Sequence, residues 1–241
     1  MSNRPANIRL IHVKRACEDC AVRRLCLPTG LDAQDLTTIS HLVERRGPIR
    51  KGDFIYRTGD PFRSLFAIQS GSIKTCGITH EGEEQITGFH LVGELVGMDA
   101  IGSDSHPCNA IALETTWVCE LPFDRLEEMA ETVPGLQKEM FRMFGKELRR
   151  DEHALMLVRR LRAEQRVMRF LNSLFQRMRE RYGLIEEIPL PMSREDMANY
   201  LGLAPETLSR ALTKLRQDRV IDVSTRSVRF LDMAAVCRLA C

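Results

Sequence analysis

Asn199-Tyr200-Leu201-Gly202-Leu203-Ala204-Pro205-Glu206-Thr207-Leu208-Ser209-Arg210 is the stretch whose reading decides how this chain is organised. Just before it, Ser193-x-x-Asp196 is a variant of the capping box and predicts a helix running through Leu201. Gly202 breaks that helix. Pro205 then sits where proline favours the first helical position, and a second helix is predicted to about Asp218. Two short helices joined by a glycine turn match a helix-turn-helix. Leu208, Leu212 and Leu215 share one face of the second helix and are expected to pack inward. Glu206, Ser209, Arg210 and Thr213 share the other face. In a helix-turn-helix the N-terminal residues of the second helix reach base edges in the major groove. Glu206 is suited to accept from a cytosine amine, and Arg210 to donate in bidentate fashion to guanine. Ser209 suits a base edge or a phosphate, and Thr207 and Ser193 suit phosphates. The plainer alternative is a solvated polar helix face.

Moving outward, Val220 to Phe230 alternates as a β-hairpin wing should, and Ala163 to Arg181 reads as an amphipathic helix. Upstream of these lies a long helix over 135–161, opened by Pro134. Leu136, Met140, Phe144, Leu148, Leu155 and Val158 form one apolar stripe at three- and four-residue steps. At about 1.5 Å per residue such a helix is roughly 40 Å long. It needs a partner along its length, either the protein's own core or a second copy in a coiled-coil-like dimer; the dimer is the favoured expectation. Asp151 falls on the stripe between Leu148 and Leu155. On a two-fold seam it faces its own symmetry mate, where repulsion and desolvation oppose association.

Residues 31 to about 125 read as a β-domain. Short runs at Asp53–Tyr56, Ser64–Ile68 and Gln85–Phe89 read as alternating apolar and polar side chains, punctuated by Gly52, Gly59, Gly71, Gly82 and Gly93. That rhythm suits a small antiparallel barrel or roll. Charge divides along the chain. Residues 1–139 hold 15 Lys and Arg against 20 Asp and Glu, and residues 140–241 hold 20 against 13, so a net +2 is −5 followed by +7. A basic C-terminal part on an acidic N-terminal part fits a nucleic-acid-binding module joined to something else. With 44% hydrophobic and 28% charged residues the chain has the composition of a folded globular protein rather than a disordered one. No run of 18 apolar residues predicts a membrane span, and Met1 to Val13 lacks the apolar core of a secretory signal. A cytoplasmic location is therefore expected, and in that reducing compartment clustered cysteines suggest a metal or redox role.

Three of the eight cysteines cluster as Cys17-x2-Cys20-x5-Cys26, within residues 1–30, a segment too short to form its own core. Zinc sites favour two Cys-x2-Cys pairs, and only one pair is present here. Iron–sulfur clusters accept uneven spacing with a fourth thiolate from elsewhere, and Cys76, Cys108 and Cys119 are the candidates for it. Spacing alone leaves an iron–sulfur cluster, zinc and a thiol switch all open. No phosphate-binding loop, nucleophilic triad or carboxylate pair suggests an enzyme, and the six histidines show no ligand spacing.

Across roughly residues 8–235 the chain resembles the oxygen-sensing iron–sulfur branch of the CRP/FNR superfamily of transcription regulators. The resemblance rests on the cysteine loop followed by Leu27-Pro28 and on Glu84 to Leu91. It rests also on Asp99 to Ser103, Val118 to Phe123, Asn199 to Leu203 and Glu206 to Arg210. It implies an α+β fold with an N-terminal cluster loop (1–30), a β-roll sensor (31–134), a dimerisation helix (135–161) and a winged helix-turn-helix (162–241). It implies an oxygen-labile 4Fe–4S cluster on Cys17, Cys20, Cys26 and Cys119, with Cys76 and Cys108 incidental. It implies that Glu206, Ser209 and Arg210 read the half-sites of a palindrome similar to TTGAT-N4-ATCAA. A homodimer would form when the cluster is loaded and revert to monomers after oxidation, activating or repressing genes of anaerobic metabolism. The hairpin around Thr79 to Gln85 would offer a contact to RNA polymerase. Related regulators hold cyclic AMP with an Arg-Ser/Thr motif, whereas the matching stretch here, His106-Pro107-Cys108-Asn109-Ala110, has no arginine. A cyclic phosphate would lack its charge partner, so a cyclic-nucleotide effector is not expected.

Overall fold

The structure, a computed structural model, describes residues 33–79, 81–133, 135–158 and 161–240. Cys17, Cys20 and Cys26 therefore lie outside the described residues. The chain divides into two compact units, one of residues 1–75 with 89–141 and one of residues 76–88 with 142–241.

In the first unit a helix α1 (Ala33–Leu42) precedes the strands β1 (Glu44–Ile49), β2 (Phe54–Tyr56), β3 (Ser64–Ser70), β4 (Ile73–Ile78), β5 (Glu84–His90), β6 (Leu95–Val96), β7 (Asn109–Ala112) and β8 (Thr116–Pro122). The tips of β4 and β5 belong to the second unit. Helix α2 (Phe123–Thr132) follows β8. The strands form two four-stranded sheets, ordered β1-β8-β3-β6 and β2-β7-β4-β5. Ile55, Phe66, Ile68, Ile73, Ala110 and Val118, drawn from both sheets, make one buried cluster between them. Side chains alternate across a strand, so Leu65, Ala67 and Leu121 point to the opposite face. There they pack with Leu126 of α2 and with Cys119. Strand β3 is thus covered on both faces, and its Leu65-Phe66-Ala67-Ile68 run is continuously apolar for that reason. The turn between β3 and β4 requires Gly71, at φ +85°, because a Cβ there would lie 2.8 Å from the Thr115 carbonyl oxygen. A third cluster joins Ile39 of α1, Met129 of α2 and Leu136.

Leu136 begins α3 (Leu136–Val158), the long helix. Beyond it the second unit holds α4 (Ala163–Tyr182), β9 (Glu187–Pro189), α5 (Arg194–Leu201), α6 (Pro205–Gln217), β10 (Ile221–Val223), β11 (Ser227–Phe230) and α7 (Met233–Ala240). Its core unites Val167, Met168, Phe170, Leu171 and Leu174 of α4 with buried side chains of α5 and α6. The antiparallel sheet is ordered β10-β11-β9, so the expected two-stranded wing carries a third strand.

Helices α1, α2 and α7 are elements that the sequence reading did not name. For α7 the missed signal is Asp232, whose carboxylate accepts from the Ala235 amide at 3.0 Å and so opens the helix. Among the described residues no helix is long and apolar enough to cross a membrane.

Candidate nucleic-acid interface

Helix α5 starts as its sequence predicts. The Ser193 hydroxyl accepts from the Asp196 amide at 2.9 Å, and the Asp196 carboxylate accepts from the Ser193 amide at 3.1 Å. The same hydroxyl also donates to that carboxylate at 2.9 Å, so Ser193 spends its proton on the cap. Gly202 ends the helix in the left-handed conformation, at φ 60°. Pro205 opens α6 at its first turn, with no side-chain cap on that helix N-terminus.

Helix α6 has two faces. Leu208, Ala211, Leu212 and Leu215 are buried, which holds the helix on the domain core. Glu206, Ser209, Arg210 and Thr213 are exposed and Thr207 is half-buried. Positions 206, 209 and 210 lie on one side of the first two turns, as a major-groove reader requires. The Thr213 hydroxyl donates back to the Ser209 carbonyl at 2.9 Å, which leaves its oxygen but not its proton for other partners. Lys214 is tied to Glu164 of α4 at 2.9 Å. That hydrogen bond is the main reason the Glu164 carboxyl lies below the usual range.

Two arginines outside the sequence reading complete this surface. Arg194, half-buried, reaches from the start of α5 to the Ser224 carbonyl in the wing turn. Burial pulls its guanidinium below the usual range. With Ser209, Thr213, Arg216 and Val223 it lines a shallow cleft between α6 and the wing. The wing turn is closed by the Ser224 hydroxyl, which accepts from the amides of Arg226 and Ser227 at 3.2 and 3.1 Å.

On α3 the predicted stripe divides. Leu136 and Met140 pack with Ile39 and Met129, so the first turn serves the protein's own core. Phe144 is half-buried, and Leu148 is 62% exposed. Phe141, which the stripe omits, is 64% exposed. The helix continues through Asp151, Leu155 and Val158, whose side chains lie outside the described residues.

Cys119 is the one proposed cluster ligand among the described residues. It sits on β8, opposite Arg45 of β1 and Ala67 of β3, half-buried and not in a disulfide. Its cluster includes Val43, the residue just after α1. The seven residues from Cys26 to Ala33 can extend about 23 Å, and the ten-residue α1 covers about 15 Å. The thiols of the N-terminal loop are therefore within chain reach of Cys119. Cys76 is fully buried, and Cys108 is 6% exposed inside the cluster between the sheets. Cys119 is thus half-buried on the outward side of β8, whereas Cys76 and Cys108 are core thiols. Among the described residues no set of three His, Cys, Asp or Glu could hold a metal by itself, so a cluster on Cys119 needs the loop cysteines.

The stretch matched to the cyclic-phosphate motif is packed with the chain's own side chains. His106 stacks on Tyr56 with ring centroids 3.7 Å apart, and Phe62 meets it edge-on at 5.5 Å. Burial lowers the His106 pKa despite the opposing influence of Asp99 and Asp60, which favours the uncharged ring. The Cys108 thiol donates to Asp99 at 3.0 Å. None of these groups supplies the cation a cyclic phosphate needs.

Comparison with known proteins matches residues 165–239 to the Crp-like helix-turn-helix domain and residues 47–133 to the cyclic nucleotide-binding domain. The chain is 43% identical to the transcriptional activator protein anr of Pseudomonas aeruginosa, over 93% of this chain and 92% of that protein. It is 40% identical to the fumarate and nitrate reduction regulatory protein of Escherichia coli, over 93% and 90% respectively. Among solved structures, FixK2 from Bradyrhizobium japonicum superposes with a TM-score of 0.72 at 28% identity, covering 83% of this chain and 96% of that one.

Proposed function

The chain belongs to the CRP/FNR family of transcription regulators, DNA-binding proteins rather than enzymes, and from that premise we propose that it is an oxygen-responsive member. On this reading its DNA binding depends on an oxygen-labile 4Fe–4S cluster held by Cys17, Cys20, Cys26 and Cys119. The observation that carries it is the sorting of the described cysteines: Cys119 is half-buried on the outward side of β8, while Cys76 and Cys108 lie in the core. The protein acts in the cytoplasm, where these thiols stay reduced.

The division of labour follows the four segments 1–30, 31–134, 135–161 and 162–241. When bound, the cluster supplies an oxygen-labile tie between the N-terminal loop and β8. Phe144, Leu148, Leu155 and Val158 form the apolar seam of a homodimer, joined at its start by the part of Met140 that the chain's own core leaves uncovered. Asp151 faces its symmetry mate across that seam and opposes association. The tied loop offsets that repulsion, and without it the equilibrium returns to monomers. The dimer places two copies of α6 one helical turn, about 34 Å, apart on a palindrome similar to TTGAT-N4-ATCAA. Glu206, Ser209 and Arg210 read base edges, and Thr207 holds a phosphate. Ser193 does the same after turning its O–H from the Asp196 carboxylate to the phosphate. A monomer keeps one half-site and loses most of its affinity. The exposed hairpin residues between Thr79 and Gln85 are offered to RNA polymerase, so that bound dimers activate some genes of anaerobic metabolism and repress others. The β-roll takes no cyclic nucleotide.

The test is the visible spectrum of protein purified without oxygen. A broad thiolate–iron absorption that bleaches in air is expected. Cys119→Ser abolishes it and Cys108→Ser retains it. A colourless protein carrying zinc refutes the reading.

A further inference from the structure

Strand β5 is the edge of its sheet. An edge strand presents unpaired backbone N–H and C=O groups that some other group must satisfy. On β5 that group is a side chain of the helix-turn-helix. The Asn199 Oδ1 accepts from the Ile86 amide at 2.7 Å, and the Asn199 Nδ2 donates to the Glu84 carbonyl at 2.7 Å. One carboxamide thus meets residues i and i+2 of the strand with one acceptor and one donor, as a neighbouring strand would. The Gln85 side chain closes the pair from the other direction, donating to the Asn199 carbonyl at 3.1 Å. Ile86 itself is 3% exposed. The hairpin tip, residues 76–88, accordingly belongs to the same compact unit as the helix-turn-helix.

Asn199 lies near the C-terminal end of α5, whereas the phosphate-facing cap at Ser193 lies at the other end. Six residues of helix separate them by about 9 Å. The strand contact and a DNA contact are therefore made at once, by different ends of one helix. We propose that the Asn199 carboxamide is a joint that caps the edge of β5 at Glu84 and Ile86 and holds the helix-turn-helix in one orientation on the hairpin tip of the same compact unit. Residue 199 is then a positioning residue for a two-half-site DNA target that it does not touch. The physical basis is preorganisation. A domain held in one orientation loses less freedom when two copies must meet two half-sites in register, whereas a single half-site makes no such demand. The inference rests on the palindrome reading given above.

The experiment uses the full-length, anaerobically prepared protein and its Asn199→Ala and Asn199→Asp variants. Amide hydrogen exchange at Ile86 is measured first. It is expected to rise about ten-fold or more in Asn199→Ala, since the acceptor of the Ile86 amide and the donor to the Glu84 carbonyl are both lost. It rises less in Asn199→Asp, which keeps the acceptor for Ile86 and loses the donor to Glu84. Affinity is then measured by fluorescence anisotropy on a palindromic duplex and on a duplex with one half-site. Asn199→Ala is expected to weaken the palindrome by about ten-fold and to leave the half-site unchanged. Unaltered Ile86 exchange overturns the joint. So does equal weakening on both duplexes, which marks a merely structural role in the domain. Faster exchange with unaltered palindrome affinity overturns the positioning role. If wild-type protein binds the palindrome no better than the half-site, the palindrome reading fails, and Ile86 exchange still judges the edge closure by itself.

Discussion

Leu148→Ala separates the dimer seam from the protein's own core. Leucine and alanine differ by three carbons, which at about 0.8 kcal/mol per buried methylene is roughly 2.4 kcal/mol when fully covered. Leu148 is 62% exposed in the single chain. The surface that a partner has yet to cover is thus worth about 1.5 kcal/mol per copy, or about 3 kcal/mol per two-fold dimer. That corresponds to a dimer dissociation constant raised roughly a hundred-fold. The same exposure means that truncation opens no cavity in the monomer, whose unfolding free energy should move by no more than about 1 kcal/mol, the share of the side chain already covered. Sedimentation equilibrium on cluster-loaded protein gives the first quantity, and denaturant unfolding of air-exposed protein gives the second. A dimer constant within three-fold of wild type refutes the seam. A monomer destabilised by about 2 kcal/mol or more also refutes it, because Leu148 would then be a core residue.

Asp151→Ala removes the charge from the proposed seam and should give a dimer that binds DNA in air; size-exclusion chromatography of aerobic protein checks it, and a monomer there overturns the repulsion argument. Arg210→Ala should cost about 1–3 kcal/mol on the cognate duplex and relax discrimination at one base pair, read from a panel of single-base substitutions. Arg216→Ala, by contrast, should weaken all sequences alike and lower the salt slope by about one phosphate's worth, roughly 0.9. Burial lowers the His106 pKa below its unfolded value of 6.5, so the unfolded chain takes up the proton first. Its contribution is therefore intact above pH 6.5 and declines as pH falls below it. His106→Asn should flatten that part of the stability profile in thermal melts between pH 7.5 and 5.5, and a variant with the wild-type slope removes His106 as its cause.

The reading module was legible because its signals are local. A cap at Ser193, a glycine at 202, a proline at 205 and a leucine face at three- and four-residue steps lie within one short stretch, and each has one geometric meaning. The exposed face of α6 follows from the buried one. The β-domain was legible as a class through its glycine turns, but not in detail. Leu65-Phe66-Ala67-Ile68 shows no alternation because α2 covers the second face of β3, and a covering helix leaves no trace in the strand's own pattern. Arg194 and Asn199 were missed for the same reason, since both act on backbone groups distant in sequence: the Ser224 carbonyl, and Glu84 with Ile86.

Cysteine chemistry shows why the sensor is harder to read than the reader. Spacing groups Cys17, Cys20 and Cys26, but it cannot choose a fourth thiolate, because ligands join through the fold rather than through the period of any element. Strand geometry supplies a criterion. On β8, Val118 points between the sheets and Cys119 points away from them, so neighbouring residues meet different partners. Cys108, on the inner side, donates its S–H to the Asp99 carboxylate in a hydrogen bond. An adjacent negative charge disfavours the thiolate that a cluster requires. Moving the ligand from position 119 to 118 or 120 would turn the thiol to the other face of the strand, as a one-residue register slip does. Val118→Cys in a Cys119→Ser background should therefore fail to restore visible absorption, although it shifts the sulfur by a single residue. Restoration of the spectrum would mean that the outward face of β8 is not what selects the ligand.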